Sequence, residues 1–199
     1  MRSPALLTLL VLGAIPLVGC DDDIGRGQLV GSLEITDCRD GEPVRYTCPD
    51  AAIDACDALA LEFDFFALDQ LGDAARMTMQ VGGQVLGRTD GVLFEVADLR
   101  QLRGRLGRSI PVGPDRNLRV GLALFELCPD STQSFEITGS MVFDALGVER
   151  GDRVAGRIER LEVRDGRAED GLPGPLRGFL RGSFDFVLQV GPPYQRFSR

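Results

Sequence analysis

Five cysteines have the widest chemical reach of any side chains in this chain. A thiol can be acylated, oxidised to a disulfide or deprotonated to hold a metal, and its neighbours and compartment decide which. Cys20 directly follows Leu17, Val18 and Gly19, Cys38, Cys48 and Cys56 share one loop-rich stretch, and Cys128 is distant. The chain has no histidine and no tryptophan, and all 22 basic residues are arginine. Without histidine there is no Ser-His-Asp or Cys-His catalysis, no common zinc site and no usual pH switch. Without lysine there is no Ser-Lys dyad and no Schiff base.

Other chemistry finds little support. The Cys48 to Cys56 spacing fits no standard metal pattern, and no CxxC occurs, so neither metal nor cofactor is expected. Three acidic clusters offer oxygen ligands: Asp37 with Asp40 and Glu42, Asp50 with Asp54 and Asp57, and Asp165 with Glu169 and Asp170. None has the alternating acids of a calcium loop. Ser109, Ser131, Ser134, Ser140 and Ser183 lack a nucleophile-elbow frame. Gly104-Arg105-Leu106-Gly107 is too short for a phosphate loop. With 30 acids, the sequence can name no carboxylate pair for glycoside hydrolysis. Arg100, Arg103, Arg105 and Arg108 form the one basic concentration, with no acid between Asp98 and Asp115. Arginine forks suit a docked phosphate or carboxylate, although such charge runs ordinarily mark a solvated face.

The elements that position these residues begin at the N-terminus. Met1 to Pro4 carries one positive charge, Ala5 to Pro16 is apolar apart from Thr8, and small residues precede Cys20. That is the layout of a helical secretory signal, and its apolar run is too short to span a bilayer. Leu17-Val18-Gly19-Cys20 resembles the lipobox of bacterial lipoproteins at every position. The resemblance implies cleavage between Gly19 and Cys20, diacylglycerol on the Cys20 thiol and an acyl chain such as palmitate on the new amino group. Two or more buried chains make a stable anchor. Asp21, Asp22 and Asp23 follow. Asp after the lipidated cysteine resembles the inner-membrane retention signal of enteric bacteria, and inner and outer membrane both stay open.

An exported domain should oxidise its four remaining cysteines to disulfides. Three pairings exist. Cys38–Cys56 with Cys48–Cys128 is preferred, because Cys38 ends one strand and Cys56 precedes the next, and the other pairings stay open. The net charge is −8, and loss of Arg2 with the signal makes the mature chain −9. Such an acidic protein should not hold nucleic acid through bulk charge.

Residues 28–37 alternate with Leu29, Leu33 and Ile35 on one face. Similar alternation marks 58–66, 135–143 and a last strand with Phe184, Phe186, Leu188 and Val190 that Gly191-Pro192-Pro193 ends, and 76–81 reads as a further strand. Asp90-Gly91 predicts a hairpin joining 84–88 to 92–96. Residues 117–127 read as a central strand partly covered on both faces, and 97–106 as a short helix. In 153–164 the apolar phase slips between Ile158 and Leu161, which predicts a bulge. The expected fold is all-β: an antiparallel β-sandwich or barrel of about nine or ten strands. The expected domains are a signal peptide over 1–19, a tether over 20–27, one β domain over 28–191 and a tail over 192–199. Val154-Ala155-Gly156-Arg157, Gly178 and Gly182-Ser183-Phe184-Asp185-Phe186 resemble segments of β-rich envelope lipoproteins of GC-rich Gram-negative bacteria, whose chains also end on a G-x-F-x-F strand. That resemblance implies a fold type and no activity.

The reading is therefore a non-enzymatic lipoprotein of the cell envelope, a binding or structural module anchored to a membrane through Cys20, with a protein or carbohydrate partner. One alternative is a carrier of an apolar ligand between the sheets, lined by Phe63, Phe65, Leu122 or Phe184. Another is a carboxylate-based hydrolase or carbohydrate-active domain.

Overall fold

A computed structural model describes residues 25–39, 42–46, 58–81, 90–124, 135–165 and 177–190, with backbone alone for 36–39, 42–46, 135–136, 165, 177 and 189–190. The strands are β1 (Gly25–Arg39), β2 (Glu42–Tyr46), β3 (Leu59–Phe63), β4 (Phe65–Leu71), β5 (Ala74–Gln80) and β6 (Gly91–Val96), then after helix α1 (Leu99–Arg103) β7 (Ile110–Val112), β8 (Leu118–Ala123), β9 (Phe135–Leu146), β10 (Arg153–Asp165), β11 (Arg177–Val187) and β12 (Gln189–Val190). All twelve strands join one sheet. The all-β expectation holds, and the architecture is a nearly closed barrel.

Closure follows from the pairings. β4, β5, β6 and β8 form an antiparallel run, β7 bridges β8 to β9, and β9, β10, β11 and β1 complete the wall. β3 pairs with β1 and β4 pairs with β5, with only Asp64 between β3 and β4. The Asp64 N–H still donates to the Gln80 carbonyl at 3.1 Å. One stave thus changes partner midway and ties the two ends of the sheet together. β12 pairs in parallel with β4 beyond the point where β1 starts. Closing the wall satisfies backbone groups that an open sheet would leave on its edges.

The period-two pattern accounts for the core. Leu29, Leu33, Ile35, Leu61 and Phe63 face inward, as expected, and are buried. Phe65 does not follow Phe63: beyond Asp64 the phase slips by one, so Phe66 and Leu68 join the central cluster instead. The rings of Phe94, Phe184 and Phe186 lie 5.7–6.4 Å from that of Phe66, and Phe143 lies 5.7 Å from Phe184. These spacings are those of packed aromatic pairs. The rings fill the middle of the barrel.

Several expectations are corrected. Gly25, Arg26 and Gly27 belong to β1, so the domain reaches back into the stretch expected to be tether. Asp90-Gly91 is not a hairpin tip. Gly91 pairs with Gln80 inside the β5–β6 ladder, and Val81 N–H donates to the Asp90 carbonyl at 2.9 Å. A Cβ at residue 91 would lie 2.8 Å from the Met79 carbonyl oxygen, so the glycine permits close strand approach. The expected partner strand over 84–88 lies outside the described residues. The helix is shorter than 97–106, running from an Asp98 cap to Gly104. The predicted bulge is present, with a register shift between Ile158 and Leu161.

Strand direction sorts the connections to two ends. The turn at 72–73, helix α1, the turn at 113–117 and the turn at 147–152 lie at one end, where β1 also begins. The longer connections between β5 and β6, β8 and β9, and β10 and β11 leave from the opposite end, and the one between β2 and β3 leaves midway along β1, beside Gly31 and Leu33.

Candidate binding surface

Residues that alternate away from the core build the outer wall, and register sets them in rows. Arg157, Ser183, Gln28 and Glu62 lie side by side across β10, β11, β1 and β3. A second row runs Ala155, Asp185 and Arg26. Short side chains at Ala155 and Ser183 sit between long charged ones, and the wall is concave there. The resulting groove has a volume of about 1080 Å³ and also takes in Asp64, Asp144 and Arg153.

Four of the seven charges of the groove are paired within it. Arg153 grips Asp185 through two hydrogen bonds, Nε to Oδ1 at 2.8 Å and Nη2 to Oδ2 at 2.7 Å. Arg157 Nη1 donates to Asp144 Oδ1 at 3.2 Å. The hydrogen bonds from Arg153 hold the Asp185 carboxyl below its ordinary value of 3.8. Both pairs are exposed, so solvent screens them and they stabilise the fold weakly. Their effect is positional: a bidentate fork fixes where donors and acceptors stand on the groove floor. This arrangement suits polar recognition better than proton transfer.

The sequence-predicted arginines do not converge on one point. Arg100 Nη2 pairs with Asp73 Oδ2 at 3.0 Å. Arg105 Nη2 donates to the Ser109 carbonyl at 3.0 Å. Arg103 and Arg108 make no ion pair among the described residues. Helix α1 buries Leu99 and Leu102 against the barrel and leaves its arginines in solvent. Arg105 alone of the four lines a notch of about 220 Å³, shared with Arg116, Asn117 and Asp115. The notch therefore holds both signs of charge.

Two of the serines share a partner. Ser109 Oγ and Ser140 Oγ both donate to Glu159 Oε2, at 2.6 and 2.8 Å. This holds the Glu159 carboxyl below its ordinary 4.5. Asp152 accepts the backbone N–H groups of Glu149 and Val148, both at 3.0 Å, which lowers its carboxyl from 3.8. All three carboxylates are depressed in the folded state, so the stability they contribute is present above their unfolded pKa values and lost as pH falls through the folded ones. The thermal midpoint should stay level above about pH 5 and decline below about pH 4, as followed by circular dichroism. A rise in midpoint on acidification through that range would contradict these contacts.

Cys20, Cys48, Cys56 and Cys128 lie outside the described residues, and so does the side chain of Cys38 at the end of β1. The acidic clusters at 37–42, 50–57 and 165–170 fall outside them as well, apart from the backbone of Asp37, Glu42 and Asp165. Among the described residues no group of His, Cys, Asp or Glu is arranged to hold a metal ion. None of their helices is long and apolar enough to cross a membrane. Sequence reasoning missed the groove. Its residues are scattered from Arg26 to Asp185, and only strand register brings them together. The chain matches no family model, no curated protein and no solved structure.

Proposed function

We propose that this chain is a lipoprotein of the cell envelope, fixed to a membrane through lipidated Cys20, whose barrel is a non-catalytic module that binds a polar partner on its outer wall. The groove across β10, β11, β1 and β3 is the observation that carries the binding role. It is open, sets the fixed Arg153–Asp185 and Arg157–Asp144 pairs beside apolar Phe63, Val81 and Phe184, and is suited to a protein or carbohydrate surface. Leu17-Val18-Gly19-Cys20 supports the anchor. Export through the signal supports the disulfides, because paired cysteines oxidise outside the cytoplasm.

The competing readings need features of another kind. A carrier needs free volume where the Phe66, Phe94, Phe143, Phe184 and Phe186 rings are packed. A glycoside hydrolase needs one carboxyl raised as general acid beside an ionised one. Asp152, Glu159 and Asp185 all move the other way.

Two substitutions test the proposal. Cys20→Ala should transfer the protein from the membrane to the soluble fraction, and retention in the membrane would refute the anchor. Ser183→Arg fills the groove floor without touching the core. It should abolish the recovery of cross-linked envelope partners that the unaltered protein captures, and unchanged capture would remove the groove from consideration.

A further inference from the structure

We infer that the anchored barrel stands with its α1 end against the membrane, so that the arginines of that end reach the headgroup phosphates. This rests on the reading of Cys20 as lipidated.

Chain length carries the argument. Gly25 is already in the barrel wall, paired with Phe186. Five residue steps separate it from Cys20, and a fully extended chain spans at most about 3.6 Å per step, so the tether reaches about 18 Å. Gly25 lies near the rim that carries α1. Phe186 pairs with Val154 and Val154 with Leu146, which leads directly into the 147–152 turn. The α1 segment is fixed to the same end by Leu99 N–H to the Asp73 carbonyl at 2.8 Å and Gly107 N–H to the Phe143 carbonyl at 2.8 Å. From Gly25, β1 runs to Arg39, about 46 Å away at roughly 3.3 Å per residue. The tether holds one end close and leaves the other far.

Charge favours the end over the flank. The wall beside β1 carries Glu62, Asp64, Asp144 and Asp185 against Arg26, Arg153 and Arg157, and two of those arginines are tied to Asp185 and Asp144, so the lining is net acidic and offers no cluster of open arginines. At the end, Arg103, Arg108, Arg116 and Arg150 make no ion pair among the described residues. Of the acids at this end, Asp73 is engaged by Arg100, Asp98 by the Gln101 N–H, and Asp152 by two backbone N–H groups and the charge of Arg103, while Asp115 and Glu149 make no ion pair among the described residues. Guanidinium forks match phosphate oxygens. A short tether keeps them at high effective concentration over the headgroups, so individually weak contacts become populated.

The test uses the full lipidated protein in vesicles of phosphatidylglycerol and phosphatidylcholine containing a headgroup-spin-labelled lipid. A dye is attached at Leu106→Cys, on the α1 end, or at Arg164→Cys, about 36 Å along β10 from Arg153 at roughly 3.3 Å per residue. Leu106 is exposed, so the label displaces no core contact. Quenching at 106 should exceed that at 164 at least threefold. Adding Arg103→Glu and Arg108→Glu should at least halve the quenching at 106. Flotation with the vesicles but equal quenching at the two sites overturns the orientation and leaves the anchor standing. Quenching at 106 that ignores the two Glu substitutions overturns the phosphate contact. Failure to float overturns anchor and orientation together.

Discussion

Phe66→Ala is expected to destabilise the barrel by about 3–5 kcal/mol, the range for removing a buried aromatic ring. Phe66 is fully buried and its ring meets those of Phe94, Phe184 and Phe186. It follows directly on the Asp64 break, so it sits where one stave changes partner from β1 to β5. Truncation removes apolar contact from two other staves, β6 and β11, at once, and a closed wall has little room to collapse around the void. A chain of this size loses about 2–4 °C of thermal midpoint per kcal/mol, so the midpoint should fall by about 6–20 °C. Phe66→Leu, which keeps most of the volume, should lose less than half as much. Thermal and denaturant unfolding both read this out. A loss under about 1 kcal/mol for Phe66→Ala would mean that the rings do not form a filled core.

Gly139→Ala should cost nearly as much, for a different reason. Gly139 has φ +143°, a conformation that side chains avoid, and it faces the β10 bulge. A Cβ there would lie 2.1 Å from the Arg160 carbonyl oxygen, which is backbone and cannot swing away. Backbone strain of about 1–3 kcal/mol adds to an overpacking cost of about 1–3 kcal/mol. Gly121→Ala is the control. Its nearest atom would be the Leu93 Cβ at 3.8 Å, an ordinary contact, and the change should be within about 0.5 kcal/mol of neutral. Equal effects at the two glycines would show that close strand approach at the bulge is not what Gly139 supplies.

The difference between these sites also marks what the sequence could reveal. Local alternation gave β1 and β9 directly, since every second residue from Leu29 to Ile35 is apolar or glycine and faces the core. The bulge in β10 was legible because the apolar phase slips between Ile158 and Leu161. Closure was not legible. It depends on β3 and β4 pairing with strands at opposite ends of the sheet order, and nothing near Asp64 in the sequence encodes that choice. Asp90-Gly91 misled for a related reason: the same dipeptide that favours a turn also lets strands approach, and the pairing with Gln80 decided between them. The groove was hidden because Arg26, Gln28, Ser183 and Asp185 become neighbours only through the β1–β11 register. The absence of histidine and lysine was readable at once, and it narrowed the chemistry more than any spacing did.

The account turns on the thiol of Cys20. The most direct measurement is the mass of the N-terminal peptide from protein extracted out of the membrane fraction. The lipoprotein reading predicts a chain that begins at Cys20, lacks residues 1–19, and carries the mass of a thioether-linked diacylglycerol together with an amide-linked acyl chain. An N-terminal peptide that retains Leu17-Val18-Gly19, or that begins at an unmodified Cys20, would contradict it.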